Sequence, residues 1–256
     1  MFGKILSSVG IGGAKVDAQV HSGPVTPGGV IEGEVVVKGG KLDQQIERIT
    51  MVLTTTYERE RLNEEGTQHV THELAGFIIC DDFTIRAGEE KVIPFGIDVP
   101  HETPISTPRQ RVYISTALGI AKALDPSDRD LIEVLPDPIV AEVLAQAEAL
   151  GFVHTHDSGR CKFFPSDDLP FIQEFELKPR SGPFARVLDE LELFFEVYPE
   201  GVEMFAQVDR RARGFSGFFD EAFDLDERYV RVAIERGDGW PEGELETFLR
   251  HVLSER

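Results

Sequence analysis

Strict alternation of apolar and polar residues in the first half of the chain constrains its fold more than any other feature. In VIEGEVVVKGG, Ile31, Gly33, Val35 and Val37 fall on one face and Glu32, Glu34 and Lys38 on the other. A period of two is the signature of a strand with one face in a core and the other in water. QQIERITMVLTTTYERE repeats it with Ile49, Met51, Leu53, Thr55 and Tyr57, and its β-branched residues suit a pleated surface. RLNEEGTQH reads as a hairpin loop, and FIICDDFTI as a further strand. KVIPFGIDVP alternates through Ile93, Phe95, Ile97 and Val99, and RVYISTALGI through Val112, Ile114, Thr116, Leu118 and Ile120. Residues 14 to 135 are therefore expected to form an antiparallel β-sandwich.

The period changes at DPIVAEVLAQAEALGF, where Ile139, Val140, Val143, Leu144, Ala147 and Leu150 recur at helical spacing. Asp137 is placed to cap that helix, Pro138 to occupy its first turn and Gly151 to end it. After a polar, turn-rich segment, VHTHDSGRCKFFPSDDLP, a second β set follows in QEFELKP, LDELELFFEVYP, VEMFAQVDRRAR and YVRVAIERGD. Leu191, Leu193, Phe195 and Val197 share a face there, as do Val202, Met204, Ala206 and Val208. WPEGELETFLRHVLSER closes the chain as an amphipathic helix along Leu245, Phe248, Leu249, Val252 and Leu253. The fold class expected is all-β: two antiparallel β-sandwiches with a linker helix and a C-terminal helix. The domains are residues 1–135, the linker helix 136–150, and residues 151–256.

Charge narrows the partners. With 26 Lys and Arg against 46 Asp and Glu the net charge is −20, so nucleic acid and anionic lipid are repelled. Cys80 and Cys161 offer no disulfide framework, MFGKILSSVGIGG has no signal-peptide plan, and no stretch reaches the ~18 apolar residues of a membrane span. A cytoplasmic location is the expectation.

Candidate sites are sparse. Asp125, Asp128 and Asp130 in ALDPSDRDLIEVLP have oxygen ligands for a hard cation, but lack the glycine and distal glutamate of an EF-hand, and Asp-Pro and Ser-Asp favour a turn. His154, His156, Asp157 and Cys161 contain zinc-ligand types at a spacing that matches no zinc pattern. Gly10, Gly12 and Gly13 beside Lys15 lack the end of a phosphate loop. Against the acidic background stand Arg109, Arg111, Arg210, Arg211 and Arg213, whose guanidinium groups suit ion pairs or an anionic group on a partner. No metal ligand set, cofactor or catalytic set is expected.

GIGGAKVDAQV, VTPGGVIEGEVVVKGG, IPFGIDVPHETPIS and ALDPSDRDLIEVLP, in this order, resemble the SpoOM-type sporulation-control family of bacterial arrestin-like proteins. The resemblance implies two β-sandwich modules in a regulator that acts through contacts with other proteins rather than catalysis, in sporulation control or a broader cell-cycle or stress role. Homodimer formation stays open. In eukaryotic arrestins a polar core of charges senses phosphorylated partners, and the five arginines are the candidates for an analogous role. The rival expectations are a metal-dependent binding module and a hydrolase with carboxylates in an interdomain cleft.

Overall fold

The computed structural model describes residues 13–61, 66–120, 127–166, 169–210 and 230–254, without the side chain of Arg210. The chain divides into two compact units, Met1–Thr56 with His69–Leu135, and Tyr57–Gln68 with Pro136–Arg256.

In the first unit β1 (Lys15–Val20), β2 (Val30–Lys38) and β6 (Glu90–Asp98) form an antiparallel sheet in the order β1-β2-β6. The second sheet centres on β3 (Gln44–Glu60), which pairs with β4 (Thr67–Cys80), β5 (Phe83–Ile85) and β7 (Val112–Ile120); β7 pairs in turn with β8 (Ser127–Ile132). The alternation read from sequence does what it implies: Ile31, Val35 and Val37 of β2, Ile49, Met51 and Leu53 of β3, and Ile114 and Leu118 of β7 are all fully buried in one core. Each such side chain contributes about 1.5–3 kcal/mol by leaving water.

Gly33 shows how tightly the first sheet packs. A Cβ there would lie 2.3 Å from the Gln19 carbonyl oxygen and 2.8 Å from the Phe95 ring, whereas at Gly96 on neighbouring β6 the nearest atom is 3.9 Å away. Gly33→Ala is expected to destabilise the chain by about 2 kcal/mol and Gly96→Ala by much less; urea unfolding of both variants checks the contrast.

The acidic segment departs from the expected turn, because residues 127–132 form strand β8. Asp125 lies outside the described residues. Asp128 accepts a hydrogen bond from the Ala18 amide of β1 at 3.0 Å, so its carboxylate satisfies a main-chain donor there. Burial, then Asp128 and Asp17, raise the Asp130 carboxyl above its ordinary value. Asp128 thus ties β8 to β1, an edge strand of its sheet.

The second unit opens with α1 (Pro138–Ala149). Its cap is the one expected: Asp137 Oδ1 accepts from the Ile139 amide at 2.9 Å. The segment expected as polar turns contains two short strands, β9 (Phe152–His154) and β10 (Arg160–Phe163), which pair with successive parts of β11 (Phe171–Pro179). Antiparallel pairing continues through β12 (Leu188–Val197), β13 (Gly201–Arg210) and β14 (Val230–Glu235). The chain reaches α2 (Glu244–Ser254) after that sheet. The end of β3 also belongs to this unit: Glu58 pairs in parallel with Lys162 of β10, and the Tyr57 ring stacks on Phe171 at 5.6 Å and Phe163 at 6.3 Å.

One face of this sheet is apolar, with Phe175, Leu177, Leu191, Leu193, Met204 and Ala206 buried. So are Val140, Val143 and Ala147 of α1 and Leu245, Leu249 and Val252 of α2. Gln146 joins the helices, donating to the Pro241 carbonyl at 2.7 Å and accepting from the Leu245 amide at 3.2 Å. The all-β reading with one helix near residue 138 and another near the C-terminal end holds. No described helix is long and apolar enough to cross a membrane.

Candidate functional site

The opposite face of the second unit's sheet carries a dense set of charges. Because strand side chains alternate, the residues that put Phe175 and Leu177 in the core put Glu174, Glu176 and Lys178 on the other side of β11. β12 adds Glu190 and Glu192, β13 adds Gln207 and Asp209, and β10 adds Arg160 and Lys162. Register then sets like against like: Glu176 opposes Glu192, and Glu190 opposes Asp209. Carboxylates directly opposed across strands repel, so the face needs cations or protons.

Lys162 supplies the main cation. Its ammonium donates to Glu174 Oε2 at 2.5 Å and to Glu176 Oε1, and Glu174 is only 6% exposed. Burial alone would lower the Lys162 pKa, but Glu174 and Glu176 outweigh it and hold the ammonium well above its ordinary range. The second oxygen of Glu176 accepts from Thr155 Oγ1 at 2.9 Å. Arg160 Nη1 donates to Glu58 Oε1 at 2.6 Å and Nη2 reaches Asp157 Oδ1 at 3.1 Å. Lys178 stands 3.7 Å from Glu190.

Glu192 is left without a cation of its own among the described ion pairs. Burial first, then Glu174, Glu190 and Asp209, push its carboxyl up to about 8 despite Lys162. Burial also raises Glu190, with Glu176 and Asp209 adding to it and Lys178 opposing. Burial and the opposed carboxylates thus favour the protonated form of Glu192, while Lys162 bridges Glu174 and Glu176.

Of the arginines singled out by sequence, Arg109 and Arg111 have no described ion pair with this network. Arg109 and Arg111 are exposed before β7. The inward residue is Gln110 between them, whose amide donates to Thr55 Oγ1 at 2.7 Å and the Thr56 carbonyl at 2.8 Å. Arg210 ends β13 opposite Leu188, while Arg211 and Arg213 lie outside the described residues. The zinc-type residues have other engagements: His154 Nδ1 meets Ser158 Oγ at 2.7 Å, and Asp157 pairs with Arg160. Cys161 is fully buried, and burial pushes its thiol up. Among the described residues no group of His, Cys, Asp or Glu is placed to hold a metal ion.

Residues 2–212 match the family described as SpoOM protein. The chain belongs to the SpoOM family. The sporulation-control protein spo0M of Bacillus subtilis (strain 168) is 38% identical over 255 residues, which are 99% of this chain and 98% of that protein. The crystal structure of Spo0M, sporulation control protein, from Bacillus subtilis matches with a TM-score of 0.83 at 37% identity, covering 96% of this chain and 99% of that one. A SpoOM chain thus carries the charged sheet face described above, and a regulatory role is consistent with its family.

Proposed function

We propose that this SpoOM chain is a non-enzymatic, cytoplasmic regulator that acts through contacts with other proteins, in sporulation control or a broader cell-cycle or stress role. The observation that carries this reading is the 38% identity, along 99% of the chain, to a sporulation-control protein. The site supports it, because its ions are engaged with one another: Lys162 with Glu174 and Glu176, Arg160 with Glu58 and Asp157. Charges that satisfy each other rigidify a sheet and leave recognition to the exposed surface. Arg109 and Arg111, together with Arg210, Arg211 and Arg213, are the proposed contacts for anionic groups on a partner.

Affinity capture of the tagged chain from its host lysate, quantified against a variant with those five arginines replaced by Ala, tests the proposal. A reproducible set of proteins, some lost in the variant, is expected; a capture that enriches nothing over the untagged control contradicts it. A hydrolase is the second reading, favoured by the Glu192 carboxyl at about 8, the range of a working general acid. Turnover of an ester or glycoside substrate panel that vanishes in Glu192→Gln would favour that reading instead.

A further inference from the structure

The carboxylate face of β11, β12 and β13 carries an inference that does not depend on the regulator reading. The groups that face Glu192 are Glu176 and Gln207 directly across the strands, Glu174 and Lys162 from β11 and β10, and Glu190 and Asp209 beside it. Farther along the face, Arg160 is taken by Glu58 and Asp157, and Lys178 lies by Glu190. Lys162 already bridges Glu174 and Glu176. Asp209 accepts from the Gln207 amide at 3.4 Å and belongs to none of the described ion pairs. Among the described residues, closure of the three strands therefore sets Glu174, Glu176, Glu190, Glu192 and Asp209 around only two cations, Lys162 and Lys178, and leaves Glu192 facing carboxylates.

We propose that this face is a proton-controlled latch: β12 stays closed on β11 and β13 with a proton held on Glu192, and opening the strands releases that proton to water. A carboxyl that binds its proton more tightly when closed than when open makes opening easier as pH rises. The rise begins in the ordinary carboxylate range, near 4.5, and levels off above about 8, where the closed form also loses the proton. The chain would then respond to a shift of pH around neutrality by loosening one sheet while the first unit keeps its pairing.

Hydrogen exchange of the full chain, followed by mass spectrometry from pH 6 to pH 9 and corrected for the intrinsic pH dependence of amide exchange, reads the latch directly. Local opening of β12 is expected to increase by at least about tenfold between pH 6 and pH 8 and to change little above that. Peptides from β2 and β7 serve as the internal reference. Glu192→Gln should remove the pH dependence of β12 and hold it closed at pH 8. Selective carbon-13 labelling of glutamate supplies a readout in the unaltered chain, with one carboxyl expected to titrate near 8. Opening of β12 that does not vary with pH, an unchanged pH dependence in Glu192→Gln, or the absence of any glutamate titrating above pH 6.5 overturns the proposal.

Discussion

Replacing Lys162 with Met is expected to destabilise the chain by about 3 kcal/mol, the cost of leaving buried carboxylates without their cation. Glu174 is 6% exposed and cannot turn to water for compensation, and Glu176 lies on the same ammonium. The loss should deepen as pH rises from 5 to 8. Without Lys162 the folded-state carboxyls bind protons more tightly than the unfolded ones, so folding loses stability as pH climbs through and above the ordinary carboxylate range. Lys162 itself adds no slope in that window, since its folded pKa lies above the ordinary value of 10.5 and its contribution falls away only in stronger alkali. Urea unfolding of wild type, Lys162→Met, Glu174→Gln and the double variant measures the coupling. The double variant should recover part of the loss; a single-variant effect below about 0.5 kcal/mol, the scale of an exposed ion pair, would contradict a buried network.

Asp137→Ala is expected to cost a similar amount, about 3 kcal/mol, because one buried side chain does two jobs. Its Oδ1 caps α1 at the Ile139 amide, and its Oδ2 accepts from Arg236 Nη1 at 2.8 Å. Arg236 also donates to the Tyr198 and Pro199 carbonyls, so this contact ties the start of α1 to the β12–β13 turn and the end of β14. Asp137→Asn retains a capping oxygen while losing the charge, and should recover about 1 kcal/mol of the loss. Equal destabilisation by Ala and Asn would show that the ion pair alone matters, and an effect near zero for both would remove Asp137 from the framework.

What could be read from sequence was what is local. The alternation of Ile31, Gly33, Val35 and Val37 is a property of one strand and needs no partner to be visible. The Asp137-Pro138 start of α1 is equally local, since a cap bonds within two residues. β8 was hidden because Asp128 and Asp130 are turn formers by type, and only the nearby Ala18 amide makes a carboxylate useful on that strand. β9 and β10 were hidden because each is too short to show a period, and both are held by β11 rather than by their own residues.

The charged face was legible in part. Glu174 and Glu176, and Glu190 and Glu192, repeat at a spacing of two, which places each pair on one side of a strand. An acidic strand face normally faces water, so nothing local marks it as buried. The decisive facts are register facts: Glu176 falls opposite Glu192, and Lys162 arrives from a separate strand 12 residues before Glu174. The arginines drew notice because they run against the net charge, yet Arg109 and Arg111 are exposed, and the pairing is done by Arg160 and Lys162. Nor does the local pattern of β3 tell that Tyr57 and Glu58 belong with the second unit, since that follows from their meeting Phe171 and Lys162.

The most direct test of the regulator reading is genetic. Expressing this chain in a Bacillus subtilis strain that lacks spo0M, and counting heat-resistant spores, asks whether 38% identity along the whole length preserves the regulatory role. Restoration of the parental sporulation phenotype by the wild-type chain, and its loss when the five arginines are replaced by Ala in a chain that still folds, is the predicted result. A stably expressed wild-type chain that leaves the phenotype of the deletion strain unchanged would contradict it.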